Sequence, residues 1–372
     1  MKMNIIRLIG SLQLLSFSYG FYFAFFCELF VFIYNKKLSK KNNIYIYLAI
    51  VFIAIFILQI LLLKGTDIYI FTSVVDSKLR LSDLNTFGYY FINGEVNIKY
   101  AILTIVYIMY FYFMSSNIES KNEIYKLIKT FSIVYSILFI LLFIMTYSAS
   151  SVEILKAMAN HAPNYLTKDD FGFRISLGFA EPSMMGALLG PLLAILFVSF
   201  NKKKLAIIVF LLAMIMSRSG SLFILFFSVI FLLKYRVNLL SFIIVIIGVI
   251  FISSLSEDII SSLSENIFIF RSVAERLFFP HLDITRLYYF IGIDYGHVMS
   301  FYPIISIIIQ IGIIGLIGII FIMKGNYNII IILFLICSVT KSFSSYELWF
   351  ILFILISIHY IFKNENRINN EN

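Results

Sequence analysis

The chain has 372 residues, of which 61% are hydrophobic and only 13% are charged. Soluble globular proteins carry about 25% charged residues, so this composition excludes an ordinary soluble fold and indicates a membrane protein. The net charge of +9 lies in short basic clusters between apolar runs. That distribution is typical of membrane topology signals and argues against a nucleic-acid-binding surface.

Apolar runs recur along the whole chain, and each crossing of a bilayer needs about 20 such residues. The clear candidate spans cover residues 44–63, 98–114, 126–147, 183–200, 237–255, 301–323, 327–343 and 347–362. Residues 4–34 are too long for one ordinary span and leave open a short hairpin that bends near Ser16 to Gly20. We predict an all-α transmembrane helical bundle of about 10–12 spans, in a single membrane domain over residues 1–372.

Residues 205–233 form a second ambiguous segment, because a Ser-Arg-Ser-Gly sequence that contains Arg218 interrupts the apolar run. Basic clusters at 202–204 and 234–236 flank the segment, and both are cytoplasmic if the segment goes out and returns. An arginine at the centre of a single span would cost about 2.5–3.5 kcal/mol. We therefore predict two short helices with Arg218 at the outer turn.

Three long polar segments then lie on the outer side, at residues 64–97, 148–182 and 256–300, and they hold most of the acidic residues. Any chemistry is expected on that side. The adjacent pair Asp169 and Asp170 could contact a divalent cation, but such pairs are usually solvated. The sequence contains neither a zinc-binding nor an ATP-binding motif, so we predict no metal and no cofactor.

Arginines recur in these outer segments, where membrane proteins usually avoid basic residues. They include Arg174, Arg271, Arg276 and Arg286, and Arg218 joins them at the predicted outer turn. A guanidinium group is a planar fork of donors that matches phosphate oxygens, which predicts a lipid diphosphate ligand. Each arginine could instead cap a helix or pair with an acid, as Arg271 can with Glu275. Arg271 and Arg276 point about 140° apart on a straight helix, and the sequence leaves open which of them binds.

Candidate bases and buried charges complete the set of residues suited to chemistry. Glu181 precedes a predicted span, where the helix dipole favours an acid whatever its role, and where it could also act as a base. His161 and His297 lie in outer segments and are alternative bases. Glu28 and Lys341 fall within apolar runs, where charged residues are often functional, but the sequence does not pair them. Gly312, Gly315 and Gly318 are expected to permit close helix packing.

Three segments resemble the O-antigen polymerases, the Wzy-type enzymes of the O-antigen polymerase and ligase superfamily. GFRISLGFAEPSMMGALLG (172–190) resembles their entry into a span after a large outer loop. LLAMIMSRSGSLFILFFSVIFLL (211–233) resembles the SRxxxL turn that these polymerases share with the ligases. FIGIDYGHVMSFYPIISIIIQIGIIGLIG (290–318) resembles their closing segment. Together the segments cover roughly residues 170–320.

The resemblance implies a multi-pass, metal-independent glycosyltransferase of the bacterial cytoplasmic (inner) membrane. It would polymerise undecaprenyl-diphosphate-linked repeat units into O-antigen or capsular polysaccharide on the outer face. Its implied partners are these lipid-linked glycans, membrane lipids and a chain-length regulator protein.

The resemblance also implies site residues. Arg174, Arg218 and either Arg276 or Arg271 would bind the diphosphates, and Glu181 or His297 would take the proton of the attacking sugar hydroxyl. Ligases usually carry a histidine in the loop that corresponds to residues 290–300. His297 therefore keeps an O-antigen ligase open as an alternative, and a lipid-linked oligosaccharide transporter or flippase is a further one.

Overall fold

The protein is an all-α membrane bundle, as predicted, in a computed structural model that describes part of the chain. The described residues are 2–11, 17–35, 43–63, 68–72, 89–92, 98–118, 120–145, 166–169, 172–175, 182–244, 280–281, 290–292, 303–323, 326–340, 343 and 345–371. Their helices are α1 (Lys2–Ser11), α2 (Phe17–Asn35), α3 (Asn43–Leu63), α4 (Ile98–Asn117), α5 (Lys121–Met145), α6 (Pro182–Val198), α7 (Lys203–Ser217), α8 (Gly220–Lys234), α9 (Pro303–Ile322), α10 (Tyr327–Thr340) and α11 (Tyr346–Glu371).

Hydropathy sets the positions of these helices. Three of them, α3, α4 and α5, are long and apolar enough to cross a bilayer, with 21, 20 and 25 residues. Shorter apolar stretches of 10–17 residues occur in α2, α6, α8, α9, α10 and α11. Each predicted span corresponds to one of these helices, except residues 237–255, which lie mostly outside the described residues.

The N-terminal apolar segment is not one continuous helix. It is divided between α1 and α2, which pack against each other. With 10 residues, α1 is about 15 Å long, roughly half the thickness of the hydrocarbon core. It is therefore too short to cross the membrane.

The predicted helix pair around Arg218 is confirmed. Helices α7 and α8 have 15 residues each, and Arg218 and Ser219 join them. The ring of Phe210 stacks on that of Phe226 with 4.3 Å between centroids, so the two helices fold back on each other. The outer position of this turn stays a prediction.

Short antiparallel strands occur in the three segments that we predict to be outside. They are β1 (Ile68–Thr72), β2 (Tyr89–Ile92), β3 (Leu166–Asp169), β4 (Gly172–Ile175) and β5 (Pro280–His281). Strand β1 pairs with both β2 and β5, which joins the segments 64–97 and 256–300. Strands β3 and β4 form a separate hairpin. Because β1 pairs with β5, the segments 64–97 and 256–300 must lie on the same side of the membrane. The predicted topology also places them on one side.

The chain groups into two compact units that alternate along the sequence. The first unit comprises Met1–Ile46, Tyr107–Arg236 and Tyr346–Asn372, and the second comprises Tyr47–Val106 and Val237–Ser345. Buried aromatic rings of α4, α5 and α11 fill the first unit. The single membrane domain stays a prediction.

In the second unit, the three regularly spaced glycines of α9 serve two purposes. A Cβ on Gly315 would lie 2.7 Å from Cδ1 of Ile55, and one on Gly318 would lie 3.0 Å from Cγ1 of Val51. These two glycines therefore allow close packing on α3, as predicted. Gly312 instead interrupts the helix, because its φ of 68° and ψ of 176° are not helical. That interruption was not predicted.

Candidate functional site

The first unit contains a close pair of helices, α6 and α8, that begin side by side. A Cβ on Gly186 would lie 2.5 Å from Oγ of Ser221 and 2.7 Å from the backbone nitrogen of Leu222. One turn further along α6, a Cβ on Gly190 would lie 3.1 Å from Cβ of Leu225. The contacts advance together along both helices, so the helices run parallel. Gly186 and Gly190 of α6 have the GxxxG spacing that lets membrane helices approach closely.

Because α6 and α8 are parallel, their N-terminal ends lie at the same end of the first unit. Each helix N-terminus carries unpaired N–H groups and a partial charge of about +0.5. The cap of α8 is Ser219, whose Oγ accepts a 3.4 Å hydrogen bond from the Leu222 nitrogen. The same Oγ lies 2.8 Å from that of Ser221. The first turns of α6 and α8 therefore lie side by side at this end of the unit.

Arg218 lies at the same end, in an unusual backbone conformation. Its φ of 50° and ψ of 39° are left-handed, and its N–H donates to the carbonyl of Met214 at 2.9 Å. Among the described residues, the other non-glycine with positive φ is Asn201. Glycine and asparagine adopt this conformation readily, whereas a long side chain is disfavoured. The structure thus places an arginine where glycine or asparagine is the usual residue.

Arg174 lies on an element that contacts the helix ending at Arg218. It belongs to β4 and pairs with Thr167 of β3. Strand β4 packs against α7 and α5, and its last residue, Ile175, is buried. Two of the predicted phosphate-binding arginines are thus carried by contacting elements of one unit.

The remaining predicted site residues lie outside the described residues. They are Glu181, Arg271, Arg276, Arg286, His161 and His297. By sequence, Glu181 directly precedes the first residue of α6. Their predicted roles stay predictions.

Glu28, which the sequence left without a partner, is fully buried and completely paired. Arg7 donates to both of its carboxylate oxygens, with 3.3 Å between Nη2 and Oε2. Nδ2 of Asn117 donates to Oε2 at 2.6 Å. This cluster links α1, α2 and α4, and the charges of Arg7 and Glu28 pair with each other. Lys341 lies outside the described residues.

A second buried polar cluster, in the second unit, had no prediction attached to it. Nε2 of Gln59 donates to the backbone carbonyls of Ile291 and Gln310 at 3.0 and 2.9 Å. Oε1 of Gln310 accepts a 2.7 Å hydrogen bond from the Phe343 nitrogen. Gln310 lies two residues before Gly312, so the side-chain amides of Gln59 and Gln310 both lie beside the interruption of α9. A glutamine within an otherwise apolar run was the signal that could have revealed this cluster.

Glu347 was also passed over, because hydropathy places it at the edge of a predicted span. It belongs to the first turn of α11, and only 5% of the residue is exposed.

These features define an α-helical membrane protein in whose first unit two parallel helices begin side by side. No protein-family model, curated protein or solved structure matches the chain.

Proposed function

We propose that this protein is a metal-independent glycosyltransferase of the O-antigen polymerase type in a bacterial cytoplasmic membrane. It joins undecaprenyl-diphosphate-linked repeat units into a longer polysaccharide. The observation that carries the proposal is the Arg218 turn, where an arginine in a disfavoured conformation lies beside two parallel helix N-termini. The resemblance of residues 172–190, 211–233 and 290–318 to that family supports the same reading.

The chemistry explains why positive charge is needed. The acceptor sugar hydroxyl attacks the anomeric carbon of the donor glycan, and the bond from that carbon to the diphosphate oxygen breaks. The departing lipid diphosphate gains negative charge, which helix N-termini and guanidinium groups stabilise. Arg218 and Arg174 would hold this group, together with Arg276 or Arg271. Glu181 or His297 would accept the proton of the attacking hydroxyl.

The first test is the glycan ladder of a strain that lacks the protein. A polymerase deletion leaves single repeat units and no long chains. A normal ladder in that strain would end the proposal. Polymer that accumulates on the carrier lipid would instead identify a ligase.

Arg218→Gly is the sharpest variant, because it separates backbone effects from side-chain effects. Glycine relieves about 1 kcal/mol of left-handed strain, so the variant is expected to accumulate in the membrane. It lacks the guanidinium group, so it should leave only single repeat units. Arg236→Ala is the matched control, because Arg236 is exposed beyond the other end of α8.

Arg174→Ala and Arg276→Lys extend the test to the other predicted contacts. Both should shorten the glycan chains. Alanine removes the guanidinium group of Arg174, and a lysine at position 276 cannot reproduce a bidentate guanidinium contact. Full-length ladders from Arg218→Gly and from both of these variants would overturn the diphosphate assignment.

A further inference from the structure

Helices α5 and α7 begin together at the end of the first unit that lies away from Arg218. The two helices pack against each other. The ring of Tyr125, close to the start of α5, lies 5.5 Å between centroids from that of Phe200, which is in the connection between α6 and α7. Arg218 follows the opposite end of α7, about 22 Å away for a helix of 15 residues. A site at the start of α7 is therefore separate from the Arg218 turn.

Lysine side chains from both helix starts converge on aromatic rings at this end. Nζ of Lys129 lies 6.0 Å from the ring centroid of Tyr125, and Nζ of Lys202 lies 5.5 Å from the same centroid. These two ammonium groups are thus at most 11.5 Å apart, which is the sum of the two distances. Nζ of Lys203 lies 5.9 Å from the ring centroid of Phe197. All three lysines are exposed, and we call them the basic surface.

The aromatic rings position these positive charges but do not neutralise them. A ring attracts a cation through its quadrupole and carries no net charge. The surrounding sequence is basic as well, because residues 119–129 and 199–204 contain six lysines and two glutamates. The basic surface therefore presents a net positive charge to its surroundings.

The basic surface lies at the boundary between lipid and water. Phe197 is the last residue but one of the apolar helix α6, and Tyr125 belongs to α5, which is long and apolar enough to cross a bilayer. Tyrosine is common at the level of the lipid headgroups, and lysine side chains extend from there towards water. Ammonium groups that contact these two rings are thus at headgroup depth, where lipid phosphates are the most abundant anions.

We infer that Lys129, Lys202 and Lys203 form a binding site for the phosphate headgroup of an anionic phospholipid. The lipid belongs to the leaflet on the side that the sequence predicts to be cytoplasmic. Lysine is a common phosphate ligand, and basic pockets between membrane helices bind anionic headgroups. A bound headgroup would connect α5 with the start of α7 and stabilise the first unit. The site does not depend on the glycosyltransferase activity.

The test is lipid binding to the purified full-length protein in a neutral detergent, followed by native mass spectrometry. The added lipid is phosphatidylglycerol, which is anionic, or phosphatidylcholine, which carries the same phosphate but no net charge. The wild type should bind phosphatidylglycerol at least about tenfold more tightly than phosphatidylcholine. The double variant Lys129→Gln and Lys202→Gln should bind phosphatidylglycerol about 25-fold more weakly, since each lysine near an anionic lipid contributes about fivefold. Lys203→Gln alone should weaken binding about fivefold.

The charge-matched control is the double variant Lys99→Gln and Arg236→Gln. It removes the same charge from two exposed positions outside the basic surface. Its affinity for phosphatidylglycerol should stay within about fivefold of the wild type, because only diffuse attraction is lost. Phosphatidylglycerol should also raise the unfolding temperature of the wild type and of this control, but not that of the variant that lacks Lys129 and Lys202.

Three results would overturn the inference. The first is equal binding of the two lipids by the wild type, and the second is an equal loss of affinity in both double variants. The third is displacement of the lipid by the same concentration of inorganic phosphate, which would identify free phosphate as the ligand. These measurements involve no glycan, so a failure of the proposed function leaves them unaffected.

Discussion

Gly186→Ala should destabilise the first unit, although alanine normally favours a helix. The added Cβ would lie 2.7 Å from the backbone nitrogen of Leu222, whereas ordinary contact begins at 3.4 Å. The backbone of Leu222 cannot avoid the added Cβ by a change of rotamer. Helices α6 and α8 must therefore separate by about 0.7 Å, the difference between these distances. Overpacking of this kind costs about 1–3 kcal/mol. The same separation would move the two helix N-termini beside Arg218 apart.

Gly220→Ala is the matched control at the start of α8. A Cβ at Gly220 would meet nothing within 4 Å, and its backbone is helical. Alanine should therefore stabilise the protein by about 0.5–1 kcal/mol. At Gly190 the nearest atoms would be 3.1 Å away, so Gly190→Ala should have an intermediate effect.

The assay is thermal unfolding in detergent, followed by the loss of helical circular dichroism. In order of increasing unfolding temperature, we expect Gly186→Ala, Gly190→Ala, the wild type and Gly220→Ala. If Gly186→Ala unfolds at the same temperature as Gly220→Ala, then α6 and α8 do not pack as described.

Two further predictions concern buried polar groups. Gln59→Leu removes a donor from two backbone carbonyls and should cost about 2–4 kcal/mol in the same unfolding assay, whereas Leu61→Ala on the exposed side of α3 should change little. An equal effect of both variants would contradict the role of the amide. Arg7→Met leaves Glu28 buried with its hydrogen bond from Asn117 but without its ion-pair partner, and should cost about 3–5 kcal/mol. The double variant Arg7→Met and Glu28→Gln should recover most of that loss, and a purely additive double variant would refute the coupling.

The sequence predicts most of the helices because each bilayer crossing needs a long apolar run. The pair around Arg218 was also predictable, since flanking basic clusters and the cost of a buried arginine both favour a turn. The left-handed conformation of Arg218 could not be predicted, because the sequence carries no glycine or asparagine at that position. The strand pairing of β1 with β5 joins residues about 200 positions apart, and no local pattern specifies such a partner.

The candidate site was predictable only in part. Arg174 and Arg218 are conspicuous as arginines in predicted outer segments, and the structure carries them on contacting elements. The spacing of Gly186 and Gly190 is visible in the sequence, but the helix that they face is not. Glu347 was missed because hydropathy shows where an apolar run ends and does not show how deeply that end is buried in the protein. The start of α11 becomes interior only through packing of Tyr346 on α4.

The interruption of α9 has a consequence for how this sequence can change. Gly292 and Gly312 both have positive φ, and each lies against the backbone of the other's segment. A Cβ on Gly292 would lie 2.6 Å from the carbonyl oxygen of Gln310, and one on Gly312 would collide with that of Phe290. A side chain at Gly292 would require the backbone at Gln310 to move, and a side chain at Gly312 would require the backbone at Phe290 to move. Divergent homologues are therefore expected to keep both glycines or to replace both together, and Gln59 should covary with them.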